Sequence, residues 1–207
     1  MNRKATYAFG LAALVVLLFG ATLASSASAA PAWKFEGKAL EGTETILGGA
    51  EKSAMTIPGL TTTCDNFLYE LSISNSSGTG QGKLTGMPLF NCYTNSSACF
   101  VGPIGAEALP WNSHLTTVES TPYVVFEGVK VGIYYEGEEC VLDETLVTVT
   151  GSAGGSINNT TESATFNSTT LKTTATELKA LGQKIEWTGV FPTEAFQTHR
   201  LQPLSVS

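Results

Sequence analysis

Hydrophobic and polar residues alternate with a period of two where Phe67, Tyr69, Leu71 and Ile73 stand between more polar residues. VVFEGVKVGIYY is rich in Val, Ile, Tyr and Phe, and LVTVT and IEWTGVF are further strand candidates. This period places successive side chains on opposite faces of an extended strand, and Val, Ile, Tyr and Phe favour strands. We therefore predict strands over 33–40, 43–47, 53–57, 67–73, 83–90, 123–126, 129–135, 146–150, 162–166 and 185–191.

Turn signals separate these segments, among them NSSGTGQG, Pro58-Gly59 and GSAGGSINN. Many short strands between turns are typical of an all-β domain. One short helix is predicted over 174–182, where Leu178 and Leu181 are three apart and Gly182 can end it. The fold class predicted is all-β: a single antiparallel β-sandwich or Greek-key or jelly-roll-like barrel with at most one short helix. This domain would span residues 30–191, followed by a loosely ordered tail over 192–207.

The first 29 residues have the pattern of an export signal. Arg3 and Lys4 form a positive start, 9–23 is an apolar run, and Ala27-Ser28-Ala29 is a small-residue cleavage region. The alternative is an uncleaved membrane anchor, which needs about 20 apolar residues. The cleavage region favours a signal peptide over 1–29. We therefore predict a secreted or cell-surface protein, with no membrane contact after removal of the signal.

The net charge of the chain limits the classes of partner that it can bind. The formal net charge is −7, and removing the two basic residues of the signal makes it −9. Nucleic acid is excluded as a partner, because binding it depends on neutralising phosphates with Lys and Arg. A cell-surface glycan or a protein remains a candidate partner, and no cofactor is predicted.

The four cysteines, Cys64, Cys92, Cys99 and Cys140, all follow the predicted signal. An even number in an exported chain is typical of disulfides, and their spacing lacks the close pairs of a zinc site. Folding a hairpin about Gly78 brings Cys64 opposite Cys92, and folding the next about 119–120 brings Cys99 opposite Cys140. We prefer these pairs, and a local Cys92–Cys99 bridge with Cys64–Cys140 stays open as the alternative.

The same hairpin register makes further predictions. Phe67 would face Leu89, Tyr69 would face Met87, and the two cysteines would lie on the face opposite the Phe67 row. Pro88 lacks the amide hydrogen that a central ladder needs, so it predicts an edge strand or a bulge.

No catalytic residue is predicted. PWNSHL brings Ser113 and His114 together, but neighbouring residues on a strand point to opposite faces, so they do not form a nucleophile and base. The second histidine, His199, lies in the predicted tail. The common hydrolase, metalloprotease and phosphate-binding motifs are absent from the sequence.

Carboxylates cluster around Cys140. Calcium binds six to eight oxygens, so this cluster is a weak calcium candidate, although it lacks the spacing of a calcium loop. A solvated acidic turn is the simpler interpretation, and we predict no other metal site. The cluster consists of Glu136, Glu138, Glu139, Asp143 and Glu144.

Aromatic side chains could serve recognition instead, because exposed Trp and Tyr rings stack on sugars. Trp111, Tyr134 and Tyr135 are the ligand-facing candidates, against the alternative that they pack in the core.

The order of motifs resembles a family of small exported β-proteins predicted from the genomes of soil actinobacteria. The resemblance rests on TTTC, the Gly-rich turn, GMPLFNC, CFVG…LPW, GEEC and VTVTG, and covers most of 33–191. It implies an exported all-β fold and assigns no activity. We therefore predict an exported, disulfide-stabilised structural or binding protein without enzymatic activity. The alternatives are a secreted hydrolase using carboxylates such as Glu138 and Asp143, or a carbohydrate-binding module.

Overall fold

The computed structural model describes residues 30–167, 176–192, 194–197 and 200–207. The predicted signal peptide and His199 lie outside these residues. The described chain is built from strands and one short 3-10 turn at Ser76–Gly78. The strands are β1 (Trp33–Phe35), β2 (Lys38–Ala39), β3 (Thr43–Ile57), β4 (Leu60–Ser74), β5 (Gln81–Gly86), β6 (Leu89–Thr94), β7 (Phe100–Ala106), β8 (Trp111–Val118), β9 (Thr121–Glu136), β10 (Thr145–Asn158), β11 (Ser163–Asn167), β12 (Leu178–Ala180), β13 (Gln183–Pro192), β14 (Glu194–Gln197) and β15 (Arg200–Val206).

The strands of the large sheet form a closed ring. Strand β9 pairs with β10, β10 with β11 and β12, and both of these with β13. The ring continues through β3, β4, β5 and β8 back to β9, and every pair in it is antiparallel. The predicted all-β antiparallel fold is confirmed, in its barrel-like form. Closure gives the strands hydrogen-bonding partners on both sides, which removes exposed sheet edges.

Strands β6 and β7 add to this ring at one end of the molecule. Strand β6 pairs with β4, and β7 pairs with the second half of β9. Pro103 lies within β7 at a shift in register, as expected for a proline in a strand with one partner.

The pairing of β4 with β6 confirms most of the predicted hairpin register. Cys64 lies opposite Cys92 and Phe67 opposite Leu89. Tyr69 and Met87 lie in a gap between the two ladders, because the chain leaves regular pairing between Gly86 and Leu89. The predicted register holds on both sides of them, where Glu70 pairs with Gly86 and the Leu68 amide donates to the Pro88 carbonyl at 3.0 Å. The interruption predicted at Pro88 is therefore observed.

The prediction that the cysteines lie on the face opposite the Phe67 row is wrong. In β4 the buried positions change from even to odd numbers between Cys64 and Phe67, so both side chains face the interior. The paired strand β3 changes phase at the same level, where Lys52 has a φ of +46°. A left-handed residue in one strand of a hairpin rotates the following side chains to the other face.

Both preferred disulfides are present. Cys64 is bonded to Cys92, with Cα atoms 4.0 Å apart, and Cys99 to Cys140, with Cα atoms 4.8 Å apart. The alternative local bridge between Cys92 and Cys99 is therefore wrong. The first disulfide joins two paired strands, whereas the second ties the start of β7 to the turn after β9.

The two termini of the described chain pair with each other. Strand β15 pairs with β1, and β2 and β14 complete a four-stranded sheet. The side chains of Trp33, Leu204 and Val206 are buried in the core. The segment predicted to be a loose tail therefore holds two strands, because apolar residues near its end pack against the barrel.

Asn75 holds this terminal sheet against the barrel. Its Oδ1 accepts a hydrogen bond from the Trp33 backbone amide at 2.8 Å, and its Nδ2 donates to the carbonyls of Trp33 and Leu40. A side-chain amide that satisfies three backbone groups at once replaces a missing strand partner.

The short helix predicted near 174–182 is wrong for its described part. Leu178–Ala180 is strand β12, and Leu181 and Gly182 form a turn with positive φ before β13. The three-residue spacing of Leu178 and Leu181 does not define a helix face here. Leu178 is buried, while Leu181 is exposed at the turn.

Candidate functional site

The interior of the barrel is a packed apolar core. Phe166 lies 4.3 Å from Phe191 between ring centroids, and both rings approach Trp187. A cavity of about 50 Å³ remains among these side chains, beneath Trp33 and Leu204. Ligand pockets measure roughly 300–1,000 Å³, so this cavity is a packing void and not a binding site.

Two of the three predicted ligand-facing aromatics belong to this core, so their assignment as ligand-facing is wrong. Trp111 is 1% exposed, and its indole Nε1 donates to the Glu107 carbonyl at 2.8 Å. Tyr135 is fully buried, and its hydroxyl lies 2.7 Å from Thr62 Oγ1. Burial raises the pKa of Tyr135, and the hydrogen bond with Thr62 lowers it by a smaller amount.

Tyr134 is the one aromatic of the three that faces outward. It precedes Tyr135 in β9 and is half-buried on the outer face of the barrel. A Cβ atom built on Gly102 would lie 3.0 Å from Tyr134 Cδ1 and 3.1 Å from Glu136 Oε1. The ring and the carboxylate therefore lie side by side over the same glycine of β7.

Two further glycines extend this surface into a groove. Gly105 in β7 is paired with Gly132 in β9, and a Cβ on Gly105 would meet no atom within 4 Å. Over Gly132 lie the carboxylate of Glu107 and, at 3.4 Å from its ideal Cβ, the Cδ1 atom of Leu146. The groove has a volume of about 690 Å³ and is lined by Pro103, Ile104, Gly105, Ala106, Glu107, Gly132, Tyr134, Glu136 and Leu146.

The two carboxylates of the groove differ in their partners. Glu107 forms an ion pair with Lys130, with 2.9 Å between Oε2 and Nζ. The Glu136 carboxylate is exposed and has no ion-pair or hydrogen-bond partner among the described side chains. An ionised carboxylate accepts hydrogen bonds on both oxygens, so Glu136 offers free acceptors at one end of the groove.

The other predicted carboxylates lie on the turn between β9 and β10. Glu138, Glu139, Asp143 and Glu144 are all exposed there. Asp143 Oδ1 accepts a hydrogen bond from the Gly137 amide at 2.8 Å, which fixes the turn. Within the described residues, no three His, Cys, Asp or Glu side chains are placed to hold a metal ion, so the calcium candidate gains no support.

Ser113 and His114 point to opposite faces of β8, as the sequence predicted. Ser113 is buried, whereas His114 is part-exposed, with its Nδ1 3.5 Å from Glu127 Oε1. His114 lines a polar outer groove of about 490 Å³ together with Lys83, Asn112 and Glu127. Ser113 and His114 do not form a nucleophile and base, because the hydroxyl and the imidazole are on different sides of the sheet.

A further surface concavity, of about 890 Å³, lies over β3, β4, β11 and β13. Its wall includes the exposed side chains of Leu68 and Val190, and Lys52 is its charged residue. The aromatic rings that line it, Phe67 and Phe166, are buried in the core, so it offers a ligand no exposed ring.

Sequence reasoning identified Tyr134 and Glu136 but missed the rest of their groove. Gly105, Gly132 and Leu146 come from three different strands, and Glu107 follows the first of them directly. The glycines at 102, 105 and 132 were the available signal, because a glycine inside a strand marks a site of close approach.

Comparison of the chain with protein-family models, with characterised proteins and with solved structures gave no match. The resemblance to exported actinobacterial β-proteins therefore stays a prediction. Among the described residues, none of the helical segments has the length and apolarity needed to cross a membrane.

Proposed function

We propose that this chain is an exported, non-catalytic protein of the extracellular medium or cell surface, with a structural or binding role. The observation that carries the proposal is the pair of disulfides, Cys64–Cys92 and Cys99–Cys140. Structural disulfides form and persist in oxidising compartments. The predicted signal sequence over 1–29 supports the same location.

A binding role is favoured over catalysis by where the polar side chains lie. The interior is apolar, and Glu138 and Asp143 are exposed on a turn outside the groove that contains Tyr134. A carboxylate hydrolase needs two carboxyl groups facing each other across the bond that breaks, roughly 5 to 9.5 Å apart. Of the two carboxylates in the groove, Glu107 is engaged in an ion pair with Lys130, which leaves Glu136 without an ion pair among the described residues. An open groove with an aromatic ring and a free carboxylate supports recognition of a ligand.

Export can be tested by expressing the full chain in a secreting bacterial host. We expect the protein in the medium, beginning at Ala30, with a mass lower by four hydrogen atoms than after reduction. Non-reducing peptide mapping should return the two disulfides of the structure. Retention in the cell with residues 1–29 attached, or four free thiols in the secreted protein, would contradict the proposal.

Catalysis is tested on the same purified protein. We expect no hydrolysis of a panel of glycoside and ester substrates. Hydrolysis that is lost on Glu138→Gln or Asp143→Asn would replace the binding role with the hydrolase alternative.

A further inference from the structure

We infer that the outer-face groove over β7, β9 and β10 binds a neutral polysaccharide, with the Tyr134 ring as its stacking surface. The inference rests on the proposed function in one respect, that the groove faces the extracellular medium. It adds a site and a class of ligand, which the proposed function leaves open. Space, apolar contact, hydrogen-bond acceptors and charge each support it.

The groove has room because Gly105 leaves open space in its floor, beside Gly132, which the Glu107 carboxylate and Leu146 cover. Gly105 and Gly132 are directly paired, and the ideal Cβ of Gly105 meets no atom within 4 Å. The resulting volume of about 690 Å³ is in the range of small-ligand sites. A groove open along the sheet admits one segment of a long chain, whereas a closed cavity would require a free end.

Tyr134 and Leu146 supply apolar contact above this floor. They are directly opposite each other in the β9–β10 ladder, and Leu146 is 57% exposed. A pyranose ring presents a face of C–H groups that packs against an aromatic ring, while its edge carries hydroxyl groups. A tyrosine suits such a ligand because it combines an apolar ring with a polar tip.

The carboxylates supply acceptors for sugar hydroxyl groups. Glu136 lies beside the Tyr134 ring, and neither of its oxygens has an ion-pair or hydrogen-bond partner among the described side chains. Glu107 keeps one oxygen outside its ion pair with Lys130. Hydrogen bonds to an ionised acceptor are stronger than those between neutral groups. The groove can therefore orient a hydroxyl-rich ligand at both ends.

Charge disfavours an anionic ligand in this groove. An anionic polysaccharide would meet Glu136 and the negative charge of the whole chain, −7 before and −9 after removal of the signal. Lys130 compensates the charge of Glu107, which leaves Glu136 as the one carboxylate without an ion pair among the described residues that line the groove. Protein partners remain an alternative that the experiment below separates.

Affinity electrophoresis of the purified chain in native gels tests the inference. The gels contain hydroxyethyl cellulose, xylan or laminarin as neutral probes, or alginate as an anionic probe. We expect retardation by at least one neutral polysaccharide and none by alginate. Retardation by alginate alone, or by none of the four probes, would overturn the inference.

Variants then locate the binding surface. Tyr134→Ala should weaken binding by about tenfold, and Tyr134→Phe should retain it because the ring remains. Tyr93→Ala is the matched control, since Tyr93 is 47% exposed on β6 and outside the groove. Equal binding by Tyr134→Ala and the original chain would show that the ligand binds elsewhere, which contradicts the inference.

A second variant fills the groove without removing any contact. Gly105→Leu should abolish retardation while the melting temperature stays unchanged, because its added side chain enters open space. Gly86→Leu, whose Cβ would meet only Glu70 Cβ at 3.6 Å, is its control. Undiminished retardation of Gly105→Leu would count against the groove.

The two proposals fail in different ways. Export with both disulfides but no retardation by any polysaccharide would overturn this inference and leave the proposed function intact. The chain could instead be retained inside the cell while the purified chain binds a neutral polysaccharide and Tyr134→Ala abolishes that binding. This result would overturn the proposed function and leave the inference about the groove intact.

Discussion

The two faces of strand β9 show how one stretch of sequence serves two purposes. Val131, Ile133 and Tyr135 face inward and are fully buried in the core. The residues between and beside them, Gly132, Tyr134 and Glu136, line the outer groove. Tyr134 and Tyr135 are adjacent and identical in type, yet one stabilises the barrel and the other faces a prospective ligand. Residue type therefore does not decide the role of an aromatic on a strand; the face does.

The largest loss of stability should come from substituting a buried residue that faces the core. Trp111→Ala should lower the free energy of unfolding by about 3–5 kcal/mol, because it leaves a cavity where a fully buried indole packs. Urea denaturation measures the change. Phe90→Ala, at a ring 45% exposed on the outside, should cost less than about 1 kcal/mol. Equal losses at the two sites would contradict the assignment of Trp111 to the core.

Removal of the second disulfide, Cys99–Cys140, should cause the next largest loss of stability. Replacing Cys99 and Cys140 together by alanine should lower the free energy of unfolding by about 2–4 kcal/mol, since the cross-link restricts the unfolded chain. The matched double variant at Cys64 and Cys92 should lose a similar amount, because the two loops differ little in closure entropy. Identical denaturation midpoints with and without a reducing agent would show that neither bridge stabilises the fold.

Buried tyrosines should make stability fall at alkaline pH. Burial raises the pKa of Tyr69 to about 12, and its hydroxyl donates to the Pro192 carbonyl at 2.7 Å. Because the folded pKa lies above the unfolded value, this contribution is constant below about pH 10 and is lost between about pH 10 and 12, by up to about 3 kcal/mol. Tyr69→Phe should flatten the dependence of unfolding free energy on pH in that window. An unchanged slope would contradict a buried, neutral Tyr69.

The smallest effects compare the two neighbouring tyrosines directly. Tyr135→Phe should cost about 1–3 kcal/mol, because it leaves the buried Thr62 hydroxyl without its partner. Tyr134→Phe should change the unfolding free energy by less than about 0.5 kcal/mol, since its side chain lies on the outer surface. Thermal unfolding of the two variants, measured in parallel, gives both losses of unfolding free energy. A larger loss for Tyr134→Phe than for Tyr135→Phe would contradict the assignment of Tyr135 to the core and Tyr134 to the outer face.

The sequence was sufficient to predict the class of fold. Alternation with a period of two is a local property, so the strands at 67–73, 129–135 and 146–150 could be read directly. The register of the Cys64–Cys92 pair also followed from local information, because a hairpin turn fixes the register of the strands that it joins. The sequence left the alternative pairing open, and the structure selected Cys99–Cys140, which joins the start of β7 to the turn after β9.

The sequence could not predict the faces of β3 and β4. The alternation changes phase in both strands at the level of Lys52, a left-handed residue of β3, so that Cys64 and Phe67 both face inward in β4. Lysine carries no local signal for that conformation, and only the paired strand shows why it is tolerated. Similarly, the Leu178 segment became a strand because β10 and β13 lie on either side of it.

The chain by itself therefore determined most of its strands, a preferred pairing of its cysteines and the inward or outward alternation within each regular stretch, because these depend on neighbours close in sequence. The tertiary structure decided the closure of the ring, the docking of the C-terminal strand β15 against β1, and the groove. That groove requires Gly105, Gly132 and Tyr134 to meet Glu107 and Leu146 across three strands. Contacts between distant segments depend on how the sheet closes, and no local pattern encodes that.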